Sequence, residues 1–235
     1  MLVRNRTVLD RELKYLSDNI IRLSSMVEEA VTNSVQAMTE KDLQLANDIV
    51  QRDELVNELR YNLEQHCLQV LATQQPTATD LRTVLAALHI AGELERMGDH
   101  AAGIARLVLR MDSEDGLESL HKLPKIAARA THMLHQVIDA YVRHDEQQAL
   151  DVIEYDDKVD KLYRKLFRKT LAEMTDESYV RRATYLMWAG HNLERIADRA
   201  TNIAERVIFM VSSKYVEIDP YDPSHDEDDD LEDFD

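Results

Sequence analysis

Two E-x-x-x-D motifs stand 99 residues apart in this 235-residue chain, Glu95 with Asp99 and Glu194 with Asp198. Four residues is about one helical turn, so on helices both carboxylates of a pair share one stripe. The first stripe begins apolar and runs Leu85, Leu88, Gly92, Glu95, Asp99, Gly103; the second runs Thr184, Met187, His191, Glu194, Asp198, Asn202. An earlier segment of each half brings further acids beside apolar positions. Asp53 follows Ala46 and Ile49 on one face with Asn57 a turn later, and Asp156 follows Ala149 and Val152 with Asp160 a turn later. Carboxylates crowded beside a core repel one another, and burying even one is costly unless a cation or a proton compensates it.

An all-oxygen set suits hard cations such as Mg²⁺, Mn²⁺ or Ca²⁺, and carboxylates paired on facing helices also hold iron or zinc. The candidate metal ligands are Asp53, Asn57, Glu95 and Asp99 in one set and Asp156, Asp160, Glu194 and Asp198 in the other. The expected cofactor is a divalent or trivalent ion: iron, zinc, manganese or magnesium. The competing reading is salt bridging, with Arg60, Arg82, Arg96, Arg181 or Arg195 swinging across to the acids. His191, one turn before Glu194, is either an extra ligand or a satisfied helix histidine. The one E-x-x-H pair, Glu118 with His121, falls near a linker, whereas ferritin-like di-metal oxidases need two such pairs inside a bundle. Cys67, spaced with Leu63 and Leu71, reads as core. There is no phosphate-cradling G-x-x-x-x-G-K-[ST] loop, and nothing resembles a hydrolase triad, so no catalytic residues are expected.

The elements that position these residues follow from a repeat. Leu94-Glu95-Arg96-Met97-Gly98-Asp99 recurs as Leu193-Glu194-Arg195-Ile196-Ala197-Asp198, and the 99-residue register continues through Ile104 and Ile203 to Met111 and Met210. Upstream, a register of 103 pairs Ala46 with Ala149, Asp53 with Asp156, and Val56 with Val159. Only five glycines and four prolines occur, and residues 1–75 contain neither, which excludes a turn-rich β fold. The expected fold is all-α: two tandem pseudo-symmetric three-helix bundles, over 1–115 and 116–213. Helices are predicted over Asp10 to Thr39, Leu43 to Ala72, Asp80 to Met111, Lys125 to Arg143, Glu146 to Glu173 and Tyr179 to Val211. Asp145-Glu146-Gln147-Gln148 has capping-box form, Pro124 suits a first helical turn, and Asp112 to Gly116 reads as the linker.

In an antiparallel hairpin, residues at equal depth have a constant sum of residue numbers. Those of Asp53 and Asp99, and of Asn57 and Glu95, sum to 152, centring the turn on Pro76. Asp156 with Asp198, and Asp160 with Glu194, sum to 354, centring the turn on Glu177. Each set of four is therefore expected at one level of its bundle.

The formal net charge is −17, but eleven acids lie between Glu217 and Asp235, where no Lys or Arg occurs. The remaining body is only mildly acidic, which argues against a nucleic-acid surface. Residues 214–235 hold too little apolar surface to offset chain entropy, so a disordered acidic tail is expected. The polar N-terminus and the lack of a long apolar run point to a cytoplasmic protein without a membrane span, and the single cysteine fits a reducing compartment.

Gln74-Gln75-Pro76-Thr77-Ala78-Thr79-Asp80-Leu81-Arg82, with the two Leu-Glu-Arg blocks, resembles the PhoU family of phosphate-uptake regulators from about residue 10 to 212. The resemblance implies metal clusters on the E-x-x-x-D faces at the eight positions above. It further implies a negative regulator that relays the state of the phosphate ABC transporter, through its ATPase, to a sensor histidine kinase. The implied role is by contact, peripheral to the membrane through partners, with a homodimer as a further possibility. Two other readings are an accessory to a secondary phosphate transporter and a metal-dependent phosphoester hydrolase. Where the family often has Asn four residues after the motif Asp, this chain has Gly103 in the first copy and keeps Asn202 in the second, which implies weaker outer support for the first cluster.

Overall fold

In a computed structural model, described over residues 2–111, 120, 122–175 and 179–214, the chain folds into six α-helices. They are α1 (Leu2–Glu40), α2 (Leu43–Gln74), α3 (Thr79–Arg110), α4 (Leu123–Arg143), α5 (Glu146–Glu173) and α6 (Val180–Ser212). Within each repeat the three helices pack pairwise, giving the two expected bundles. The Asp112 to Gly116 linker and the acidic tail lie outside the described residues.

Seven boundaries shift by one or two residues and four do not move, but α1 begins at Leu2 rather than Asp10. Arg6 accounts for the extra turns: its guanidinium meets Asp10 one turn on at 2.9 Å and Asp80 at the start of α3 at 2.6 Å. A tertiary anchor, rather than local periodicity, extends the helix.

Tight αα turns join the first and second helices of each repeat without glycine. Lys41 and His144, equivalent in the 103-residue register, both take left-handed backbone angles, with φ of 54° and 57°. The following Asp42 and Asp145 amides bond back to Ala37 and Ala140, each at 2.9 Å. Their carboxylates then cap the next helix, Asp42 accepting from the Leu45 N–H at 2.9 Å and Asp145 from the Gln148 N–H at 3.0 Å. Only half of the capping box forms, because the Gln148 amide turns to Gln136 and Asp139 instead.

The repeats join along α3 and α6, with α1 against α4 beside them, and one continuous apolar core runs from Leu9 to Met210. α3 and α6 each pack on three helices and are heavily buried; α2 and α5 pack on two and bury few residues. Arg82 Nε donates to the Met210 carbonyl at 3.0 Å, Arg199 Nη1 to Glu93 Oε2 at 3.3 Å, and His100 Nδ1 lies 3.0 Å from Asn192 Oδ1. The residue numbers of each pair sum to 292, so α3 and α6 run antiparallel. Replacing both members of the Glu93 and Arg199 pair by their counterparts in the 99-residue register gives Asn192 and His100. The junction is a pseudo-two-fold.

Candidate functional site

In the second repeat, α5 contributes Asp156 and Asp160, and α6 contributes Glu194 and Asp198. Val152 and Val159 sink into the core on α5, as do Leu193 and Ala197 on α6, which holds the acids at the edge of the bundle, partly buried. Their charges act on one another as the depth register requires. Burial, and then the proximity of Asp160, Asp198 and Glu194, pushes the Asp156 carboxyl up to about 8. Burial, and then Asp198 and Asp160, pushes Glu194 up to about 7. Asp160 is raised by burial and by Asp198, and Asp198 is raised by burial against the pull of Arg195 and Arg199.

Two oxygens of the quartet, Asp156 Oδ1 and Glu194 Oε2, are buried without a hydrogen-bond partner among the described residues. His191 Nδ1 stands 3.2 Å from Glu194 Oε2 but out of hydrogen-bond alignment, so the histidine borders the cluster. Of the arginines that could have neutralised the acids, Arg195 does so, reaching Asp198 at 2.8 Å. Arg96 turns to Glu93, Arg60 to Glu64 and Arg82 to Met210.

The first set departs from the expected matched cluster. Asp53 and Glu95 are partly buried and raised in pKa, chiefly by burial and then by Asp99. Asp99 and Asn57, however, lie exposed. Arg106, which the sequence reading passed over, stands 3.5 Å from Asp53. Its place on α3 two turns beyond Asp99 was the available signal. The two copies are thus unequal: all four acids of the second are partly buried, whereas the first leaves Asn57 and Asp99 exposed.

The residues four beyond the motif aspartates serve the junction between repeats. Asn202 donates to Glu93 Oε2 at 3.1 Å, and a Cβ on Gly103 would stand 3.0 Å from Asn192 Oδ1. Gly103 leaves the room that Asn192 occupies, so its contrast with Asn202 reports on packing between halves. Glu93 and Asn192 were not singled out from sequence, although the 292 register identifies them.

By charge, burial and unsatisfied oxygens the second quartet fits a cation, although among the described residues no three His, Cys, Asp or Glu side chains already stand as a metal shell. Convergence on an ion therefore requires rotation of carboxylate side chains on fixed helices.

The PhoU domain family matches residues 20–108 and 123–207, one match per bundle. The chain belongs to the PhoU family. It is 36% identical over 206 residues to the phosphate-specific transport system accessory protein PhoU homolog of Zymomonas mobilis, covering 87% of each chain. With the homolog of that name from Clostridium acetobutylicum it shares 30% over 215 residues, 91% of this chain and 98% of that one. The crystal structure of PhoU from Pseudomonas aeruginosa superposes with a TM-score of 0.83 at 31% identity, covering 87% of this chain and 99% of that one. The PhoU structure from Streptococcus pneumoniae gives the same TM-score at 28% identity, covering 89% and 100%. No helix among the described residues is long and apolar enough to cross a membrane.

Proposed function

We propose that this PhoU-family chain is a cytoplasmic accessory regulator of phosphate-specific transport. It restrains phosphate uptake and starvation signalling through contact with the transporter ATPase and a sensor histidine kinase. Its relatives' names as transport accessory proteins support this reading. The function is to present a surface, and no turnover of phosphate esters is expected.

The observation that carries the mechanism is the quartet spanning α5 and α6, with two orphaned oxygens at the bundle edge. Asp156, Asp160, Glu194 and Asp198 would hold a cation, and Asp53, Glu95 and Asp99 a second, more loosely, with Asn57 at the margin. A bound ion supplies positive charge that these carboxylates otherwise obtain from protons and neighbouring arginines such as Arg106 and Arg195. The chain's own part is to fix helix spacing, so that neutralising the acids locks α5 to α6 and sets the surface offered to partners.

Elemental analysis of the purified full chain, then melting and binding to the phosphate-transporter ATPase with Mn²⁺ or EDTA, tests this. Metal in the preparation, a higher melting temperature with metal, and its loss in Asp156→Asn are expected. An unchanged melting temperature together with unchanged ATPase binding after metal removal overturns the locking role.

A further inference from the structure

The duplication supplies an internal control for surface charge. Between Lys158 and Lys169, α5 carries six bases against one acid, Asp160; the equivalent stretch of α2, Leu55 to His66, carries one arginine against two glutamates. The fold therefore does not demand the basic stretch. Neighbouring segments extend it: residues 122–130 of α4 add three bases and no acid, and residues 179–193 add two bases and no acid. Arg129 is fastened to the Lys158 carbonyl at 2.6 Å, which ties α4 to this part of α5. Lys161, Arg168 and Lys169 are exposed and make no ion pair or hydrogen bond with the described residues. Phe167 and Leu171 are exposed beside them, 39% and 54%. Asp176 and Glu177, which follow in sequence, lie outside the described residues.

A basic face on which Lys161, Arg168 and Lys169 stand unpaired beside exposed apolar groups, on a chain of net charge −17, fits an acidic segment. The chain holds one. Residues 217–235 carry eleven acids and no Lys or Arg, together with Ile218, Tyr221, Leu231 and Phe234. Reach is sufficient. In the α5–α6 register, Lys161 and Lys169 lie level with Leu193 and Tyr185, about 30 and 42 Å back from the end of α6 at ~1.5 Å per residue. Asp226 and Asp235 follow Lys214 at distances of roughly 40 and 70 Å when extended at ~3.4 Å per residue. The run Asp226 to Asp230 thus spans the basic stretch, and tethering gives it a high effective concentration there.

We propose that the acidic segment 217–235 docks in cis on the basic face of α5 in the second repeat. An acidic partner of that face must then displace the chain's own segment. Carbodiimide coupling of the full chain, which joins carboxylates directly to lysine amines, tests this. Expected is coupling of the segment to Lys161, Lys165 or Lys169 at about fivefold the yield seen at Lys14 and Lys41, with loss of that preference at ~0.5 M NaCl. Full-length chain with Asp228→Asn, Asp229→Asn and Asp230→Asn should keep its melting temperature and lose the preference. Equal yields at all surface lysines overturn the proposal. So does coupling only between heavy- and light-labelled copies, which would make the contact one between chains. Binding of the bases to phosphatidylglycerol vesicles without any segment coupling overturns it in favour of a lipid surface.

Discussion

Glu93 and Asn192 hold equivalent positions in the two repeats, and each reaches across the junction into the other's third helix. Glu93 accepts from Arg199 and Asn202, whereas Asn192 meets His100 in the room left by Gly103. Glu93 is 15% exposed and Arg199 17%, so neither charge is well served by water. Glu93→Ala should therefore cost about 2 kcal/mol, in the range for hydrogen bonds to charged groups, and lower the melting temperature by several degrees. Asn192→Ala, which removes a neutral contact, should cost about half that. A double-mutant cycle with Arg199→Ala checks the pairing, and a coupling near zero would show the clasp to be incidental.

Stability without metal should fall as pH rises. The Asp156 and Glu194 carboxyls sit at about 8 and about 7 in the fold, mainly through burial and then through neighbouring acids. In the unfolded chain they return to near ~4. The folded state then holds protons that the unfolded state has released, so their contribution is complete below about pH 4 and is lost as pH climbs through 7 to 8. His100, lowered chiefly by burial, works in the opposite sense toward acid pH. Urea midpoints in EDTA at pH 5 and pH 8.5, for the native chain and Asp156→Asn, separate the two. The native chain should lose more than the variant.

Glycines at two helix positions should answer substitution with opposite signs. A Cβ at Gly190 would fall 2.5 Å from Leu166 Cδ2, with the Tyr163 ring at 3.3 Å behind it. Gly190→Ala should cost about 1–3 kcal/mol through overpacking. A Cβ at Gly92 meets nothing within 4 Å, so Gly92→Ala should gain about 0.5–1 kcal/mol of helix propensity. Thermal melts of the two variants settle the signs.

Cys67 should be inert to thiol reagents in the folded protein. It is fully buried on α2, and burial pushes its thiol up to about 12. Thiolate is then scarce and enclosed, so the labelling rate should follow global opening and rise with urea. Rapid labelling in native buffer would place the α2 seam at odds with this packing.

The helices, their duplication and the depth of the carboxylates were legible in the sequence because each follows from periodicity or from counting along antiparallel rods. Three features were not. The start of α1 depends on Arg6 finding Asp80, a contact between residues far apart in sequence. The exposure of Asn57 and Asp99 is a matter of packing between helices, which spacing along one helix does not encode. The clasp at Glu93 joins helices of different repeats, a register that equal-depth arithmetic within one bundle does not contain. Applied between α3 and α6, the same arithmetic finds it, and the role of Asn202 follows.

Fusion of the pseudo-two-fold into one polypeptide has a consequence that two separate copies could not share. A symmetric pair of identical chains must carry every substitution twice, so opening one acid cluster opens both. Here an exposed Asp99 in one repeat and a partly buried Asp198 in the other coexist, so one cluster can be altered without altering its counterpart.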